Sequence, residues 1–69
     1  MKLSARNVIP GKVISIKKGP VSSLIVIEIA PGVNLTSSVT SSAVTDLKLK
    51  KGSTAYAVIK SSSVMLGVD

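Results

Sequence analysis

The side chains of this chain that can do chemistry are few, and most of them are hydrogen-bond donors. "SARN", Ser4 to Asn7, sets a serine hydroxyl, a guanidinium and an amide within four residues. "IKSSSVM", Ile59 to Met65, sets Lys60 against Ser61. Histidine and cysteine are absent, and the only acids are Glu28, Asp46 and Asp69. General acid–base work is therefore restricted to Glu28, Asp46, a lysine or Tyr56, and no two acids are close in sequence. Serine is plentiful, but no imidazole is present to activate it. Lys60 and Ser61 form the one remaining nucleophile–base pair, and neighbours on a strand point to opposite faces. Zinc needs nitrogen or sulfur ligands and calcium needs clustered oxygens, so neither can be held within one chain. The expectation is a binding protein, not an enzyme.

Donors without carboxylates suit an anion. A fully deprotonated tetrahedral oxyanion takes hydroxyls, backbone N–H groups, Arg and Lys, and small residues let the backbone come close to it. "PVSS" after Gly19 and "KSSS" from Lys60 add to the inventory. Any single serine is better explained as solvating a strand edge, and the lysines as keeping the protein soluble. Arg6 stands apart as the sole arginine among nine cations. Lysine would serve for solubility, whereas a planar fork suits anions.

Strands must position these groups. β-Branched residues dominate the chain. "GKVISIKKG", Gly11 to Gly19, reads as a strand closed by a turn at "KKGP", and "VSSLIVIEIA", Val21 to Ala30, as the next. "APGVN" turns the chain into a third, more polar strand, Asn34 to Thr40. In "SSAVTDLKL", Ala43, Val44 and Leu47 share one face of a short helix that Ser41 or Ser42 can cap. After "KKGS", Ser53 to Ser61 reads as a fourth strand and "SVMLGV" as a short last one. Four or five strands with one short helix before the last long strand predict a single all-β domain over residues 1–69, a small OB-like Greek-key barrel.

Such a domain is marginal on its own at 69 residues. Without cysteine it has no disulfide to add, so oligomerisation is the device left. Leu24 to Ile27 are large and apolar on both faces of one strand. A small barrel has one inside, so the outer face is expected to meet another subunit; the alternative is a helix or loop covering it. The longest apolar run is about half of a membrane span, and "MKLSARN" has no apolar core of a signal peptide. A soluble cytoplasmic protein is expected. Nine basic residues against three acidic ones give a net charge of +6, which favours anionic partners.

"SARNVIPGKV" at Ser4 to Val13, "LTSSVT" at Leu35 to Thr40 with "SAV" following, "LKLKKG" at Leu47 to Gly52 and "AVIKSSSVML" at Ala57 to Leu66 together resemble the molbindins. These are small molybdate-binding proteins, also called Mop proteins. The same domain resembles the end of molybdate-transport ATPases and molybdate-responsive regulators. Each motif alone is weak, but their order and spacing are specific and span nearly the whole chain. "SSS" at Ser61 to Ser63 is a mild departure, standing where the family often has Ser-Thr-Asp.

The resemblance implies an OB-like barrel assembled as a hexamer, a trimer of dimers, that binds molybdate or tungstate between subunits for intracellular molybdenum storage or homeostasis. It places Ser4, Ala5, Arg6 and Asn7 at one type of oxyanion site. It places Lys60 and Ser61, with Val21 and Ser22, at another. Ser37 and Ser38 are further donors on the third strand. No cysteine thiolate is available to coordinate the metal, so the ligand is expected as an intact oxyanion. An organic cofactor with a large ring would want aromatic stacking that Tyr56 alone cannot supply. The alternative is a basic OB module for nucleic acid, but single-strand binders stack bases on aromatic side chains at roughly 1–3 kcal/mol each, and one tyrosine is too few. A third reading is an assembly protein with no ligand.

Overall fold

The structure, a computed structural model, describes residues 6–69. Ser4 and Ala5 lie outside them. The described chain forms four strands, β1 (Asn7–Lys18), β2 (Ser22–Ala30), β3 (Val33–Thr40) and β4 (Thr54–Ile59), with one helix, α1 (Ser41–Asp46), between β3 and β4. The strands make one antiparallel sheet in the order β3-β2-β1-β4. This is the expected all-β, OB-like fold with one short helix.

Alternation decides which side chains face inward. On β2, Ile25 and Ile27 are buried while Leu24 is 45% exposed. With Val13 and Val44 these two isoleucines form the core, and Ile16, Ile29, Leu35, Val39 and Leu49 pack around it. The register between β1 and β2 shifts between Val13 and Ser15. Val13 lies opposite Ile27, and beyond the shift Ile16 lies opposite Ile25. The extra residue, Ile14, therefore keeps both apolar neighbours on the inner face. Gly11 is needed for close packing, since a Cβ there would come within 3.2 Å of side chains of Ile27 and Ile29.

Pro31 and Gly32 form the tight β2–β3 turn. Gly32 has φ 76°, as the third position of a type II turn requires. The helix is capped at its start by Thr40, whose Oγ1 accepts from Ala43 N at 3.1 Å. The expected caps, Ser41 and Ser42, instead sit inside α1. The helix ends in a Schellman motif: Leu49 N donates to Val44 O at 3.0 Å and Lys48 N to Thr45 O at 3.1 Å. Lys48 holds the left-handed position, φ 53°, that glycine usually takes.

Two expectations change. The first strand begins at Asn7, not Gly11, and carries Pro10 inside it. Pairing with β2 starts only at Lys12, so at Pro10 β1 has β4 alone as a neighbour and one edge free. A residue without an N–H is tolerated there. The fifth strand read at "SVMLGV" does not form within the chain. β4 ends at Ile59, Ser61–Ser63 make a 3-10 turn, and residues 64–69 form no helix or strand. The barrel is thus open along one side, with β3 and β4 both as sheet edges. A trough of roughly 510 Å³ lies there, lined among others by Ile25, Ile27, Leu35, Val39, Ala57 and Ile59.

Candidate functional site

The first donor group gathers where β1 starts and β4 ends. Asn7 lies opposite Ile59 in register, and its side-chain amide donates to Ile59 O at 3.3 Å. Arg6, exposed, precedes Asn7, and Lys60, exposed, follows Ile59. The antiparallel pairing therefore brings Arg6 and Lys60 to the same end of the sheet. Lys60 caps the 3-10 turn: its carbonyl accepts from Ser63 N at 2.9 Å, and Ser61 O accepts from Val64 N at 3.3 Å. Lys60 and Ser61 are thus at a strand end, not on a strand as expected. Three exposed serine hydroxyls follow, Ser61 to Ser63.

The second group lies at the other end of β1. Lys18 pairs with Ser23, so the Gly19–Ser22 turn closes the β1–β2 hairpin there. Val21 is 76% exposed and Ser22 is exposed. At about 3.3 Å per residue the length of β1 separates this turn from Asn7 by on the order of 30 Å. Within one chain, then, Lys60 and Ser61 adjoin Arg6 and Asn7, and Val21 and Ser22 do not reach them. Ser37 lines the trough, whereas Ser38 lies opposite Leu24 on the outer face.

Two serines hold the turn: Ser23, part of the "PVSS" donor inventory, and Ser41, which the sequence offered only as a helix cap. Ser41 N donates to Val21 O at 2.8 Å, and Ser41 Oγ donates to Gly19 O at 2.5 Å. That uses the one proton of the Ser41 hydroxyl, so in the 2.7 Å contact between Ser23 Oγ and Ser41 Oγ it is Ser23 that donates. Ser23 is only 2% exposed, and this chain of hydroxyls satisfies it. Gly19 N donates to Ser22 O at 3.1 Å across the turn, and a Cβ on Gly19 would lie 2.5 Å from that oxygen. The sequence signal was present in "GPVSS" and in "TSS" at Thr40 to Ser42. Thr40 takes the cap, which leaves the Ser41 hydroxyl available for the turn.

Glu28 lies opposite Lys12, and Asp46 closes α1. Among the described residues no three His, Cys, Asp or Glu side chains cluster as metal ligands. Nor is any helix among them long and apolar enough to cross a membrane.

The TOBE domain model matches residues 3–66. A probable molybdenum-pterin-binding protein of Haemophilus influenzae is 49% identical over 69 residues, covering all of both chains. The structure of MopII from Clostridium pasteurianum superposes with a TM-score of 0.90 at 42% identity, covering 97% of this chain and 100% of that one. The cytoplasmic molybdate-binding protein ModG, solved with molybdate bound, superposes with a TM-score of 0.94 at 45% identity; this chain is covered completely and spans 49% of that one. With the model spanning nearly the whole length and half of the residues shared end to end with a relative, this chain belongs to the TOBE domain family, among the molbindin or Mop proteins.

Proposed function

We propose that this chain binds molybdate, and tungstate with it, as an intact oxyanion at sites completed between subunits of a homo-oligomer, in cytoplasmic molybdenum storage. One observation carries the reading. The two donor groups lie at opposite ends of β1, so Val21 and Ser22 can join Lys60 and Ser61 only when the latter come from a neighbouring chain. Ser4 to Asn7 then serve the other site type. The cytoplasmic molybdate-binding protein ModG, solved with molybdate bound, supports the same cargo.

Assembly has independent support in the fold. β3 and β4 are unpaired edges flanking an apolar trough. Met65, Leu66 and Val68 are over 90% exposed on the segment after the 3-10 turn. Such a segment is the fifth strand the sequence leads one to expect, and a neighbouring subunit supplies the edge it lacks in its own chain. Leu24 and Val26 on the outer face of β2 give a second apolar surface. A hexamer is the assembly proposed. Each chain carries +6, and a dianion at the boundary offsets the repulsion between chains.

The name of the Haemophilus relative includes a pterin. A pterin ring would need stacking, and Tyr56 is the only aromatic residue in the chain. Titration calorimetry separates the readings. Molybdate should give saturable heat in two classes of site. Heat from molybdopterin alone would favour the pterin, salt-sensitive heat from a single-stranded oligonucleotide would favour the nucleic-acid module, and no heat from any of them would leave an assembly protein.

A further inference from the structure

We propose that Ser41 is a positioning residue for the anion at the Gly19–Ser22 turn: it keeps the Ser22 N–H unpaired and free to donate. This rests on the oxyanion reading above and goes beyond it, since Ser41 itself contacts no ligand.

The argument starts from the peptide plane. In a trans peptide the C=O of one residue and the N–H of the next point in opposite directions. Val21 O accepts from Ser41 N at 2.8 Å, so the Ser22 N–H points away from α1. A four-residue turn would ordinarily absorb that N–H by donating it to the carbonyl of the first residue, here Gly19. Here the Gly19 carbonyl is drawn to the Ser41 hydroxyl at 2.5 Å, and among the described residues no backbone N–H donates to it. The turn closes the other way, from Gly19 N to Ser22 O. Pro20 has no N–H to compete. Ser41 thus takes two carbonyls of the turn, Gly19 O and Val21 O, and buried Ser23 holds the Ser41 hydroxyl in place by donating to it. The donor left without a partner is the Ser22 N–H, beside the exposed Ser22 hydroxyl. A helix as short as α1 supplies no useful field of its own, so its contribution at this end is the placement of Ser41.

Three variants test this: Ser41→Ala, Ser41→Thr and Thr40→Ala. Each is assayed by molybdate calorimetry and by amide hydrogen exchange at Ser22, with and without molybdate. In the parent protein the Ser22 amide should exchange readily and become protected when molybdate is added. Ser41→Ala should weaken one class of site tenfold or more and leave the Arg6 class unchanged. Its Ser22 amide should already be protected before molybdate, because the Gly19 carbonyl is now open to it. Ser41→Thr keeps the hydroxyl and should restore both readouts. Thr40→Ala removes the cap from the same helix but not the ties to the turn, and should bind as the parent does. Parent-like binding and exchange in Ser41→Ala would overturn the inference while leaving the oxyanion reading intact. So would equal weakening of both classes in Ser41→Ala and Thr40→Ala, which marks a role in stability alone. A parent protein that gives no heat with molybdate removes the oxyanion reading and this inference together.

Discussion

Asn7 and Ile59 are partners in the β1–β4 ladder, and the Asn7 side chain adds its own bond to the Ile59 carbonyl. This doubled link fixes the end of the sheet from which Arg6 and Lys60 project. Arg6 and Lys60, far apart in sequence, thereby stand at the same end of the sheet. Arg6 is the member of that pair with the fork geometry for an oxyanion.

Arg6→Ala should therefore weaken molybdate binding at its class of site by about ten- to a hundredfold. Hydrogen bonds to charged groups are worth roughly 1.5–3 kcal/mol. The fold and the oligomer should persist, since Arg6 is exposed. Calorimetry reads the affinity, and parent-like binding would reduce Arg6 to a surface cation.

Charge placed in the apolar contact surfaces should break the assembly. Val26→Asp on the outer face of β2 and Leu66→Asp on the C-terminal segment should each shift the species in solution toward smaller ones. A buried unpaired charge costs on the order of 3–5 kcal/mol. Light scattering at micromolar concentration is the check, and an unchanged mass for both variants would remove these surfaces from the interface.

Much of this architecture was legible in the sequence, and the misses have physical causes. Ile25 and Ile27 against Leu24 and Val26 announced a strand with apolar groups on both faces, and the structure separates them into core and outer surface. Pro10 and Gly11 read as a boundary, yet they lie inside β1 where only one neighbour pairs with it. "SVMLGV" has a strand's composition, but a strand needs an edge, which pattern alone cannot assign to the same chain or another. Ser41 read as a cap because capping is a local signal. Its actual bonds run to Gly19 and Val21, and pairing that distant follows only from the β2–β3 register.

Lys48→Gly should stabilise the protein by about 1 kcal/mol. The left-handed conformation at φ 53° costs an L-residue roughly 1–2 kcal/mol, which glycine avoids, while glycine loses some of that gain in the unfolded chain. Denaturant midpoints compared at equal protein concentration test it. A destabilised variant would mean that the Lys48 side chain itself supports the helix end.

At neutral pH molybdate should outcompete phosphate. Phosphate still carries at least one proton there, and a site lined by donors offers that proton no acceptor. An opposed buried polar group costs about 1–3 kcal/mol, or about ten- to a hundredfold in affinity. Molybdate is fully deprotonated and meets no such conflict. Competition calorimetry decides; displacement of molybdate by equal phosphate would make the sites generic basic patches.

Native mass spectrometry with and without molybdate tests the central claim most directly, because it counts subunits and anions on the same particle. A site completed between chains predicts six-subunit particles that gain whole molybdate increments, while any monomer released from them gains none. Monomers that carry molybdate as fully as the assembly does would contradict it.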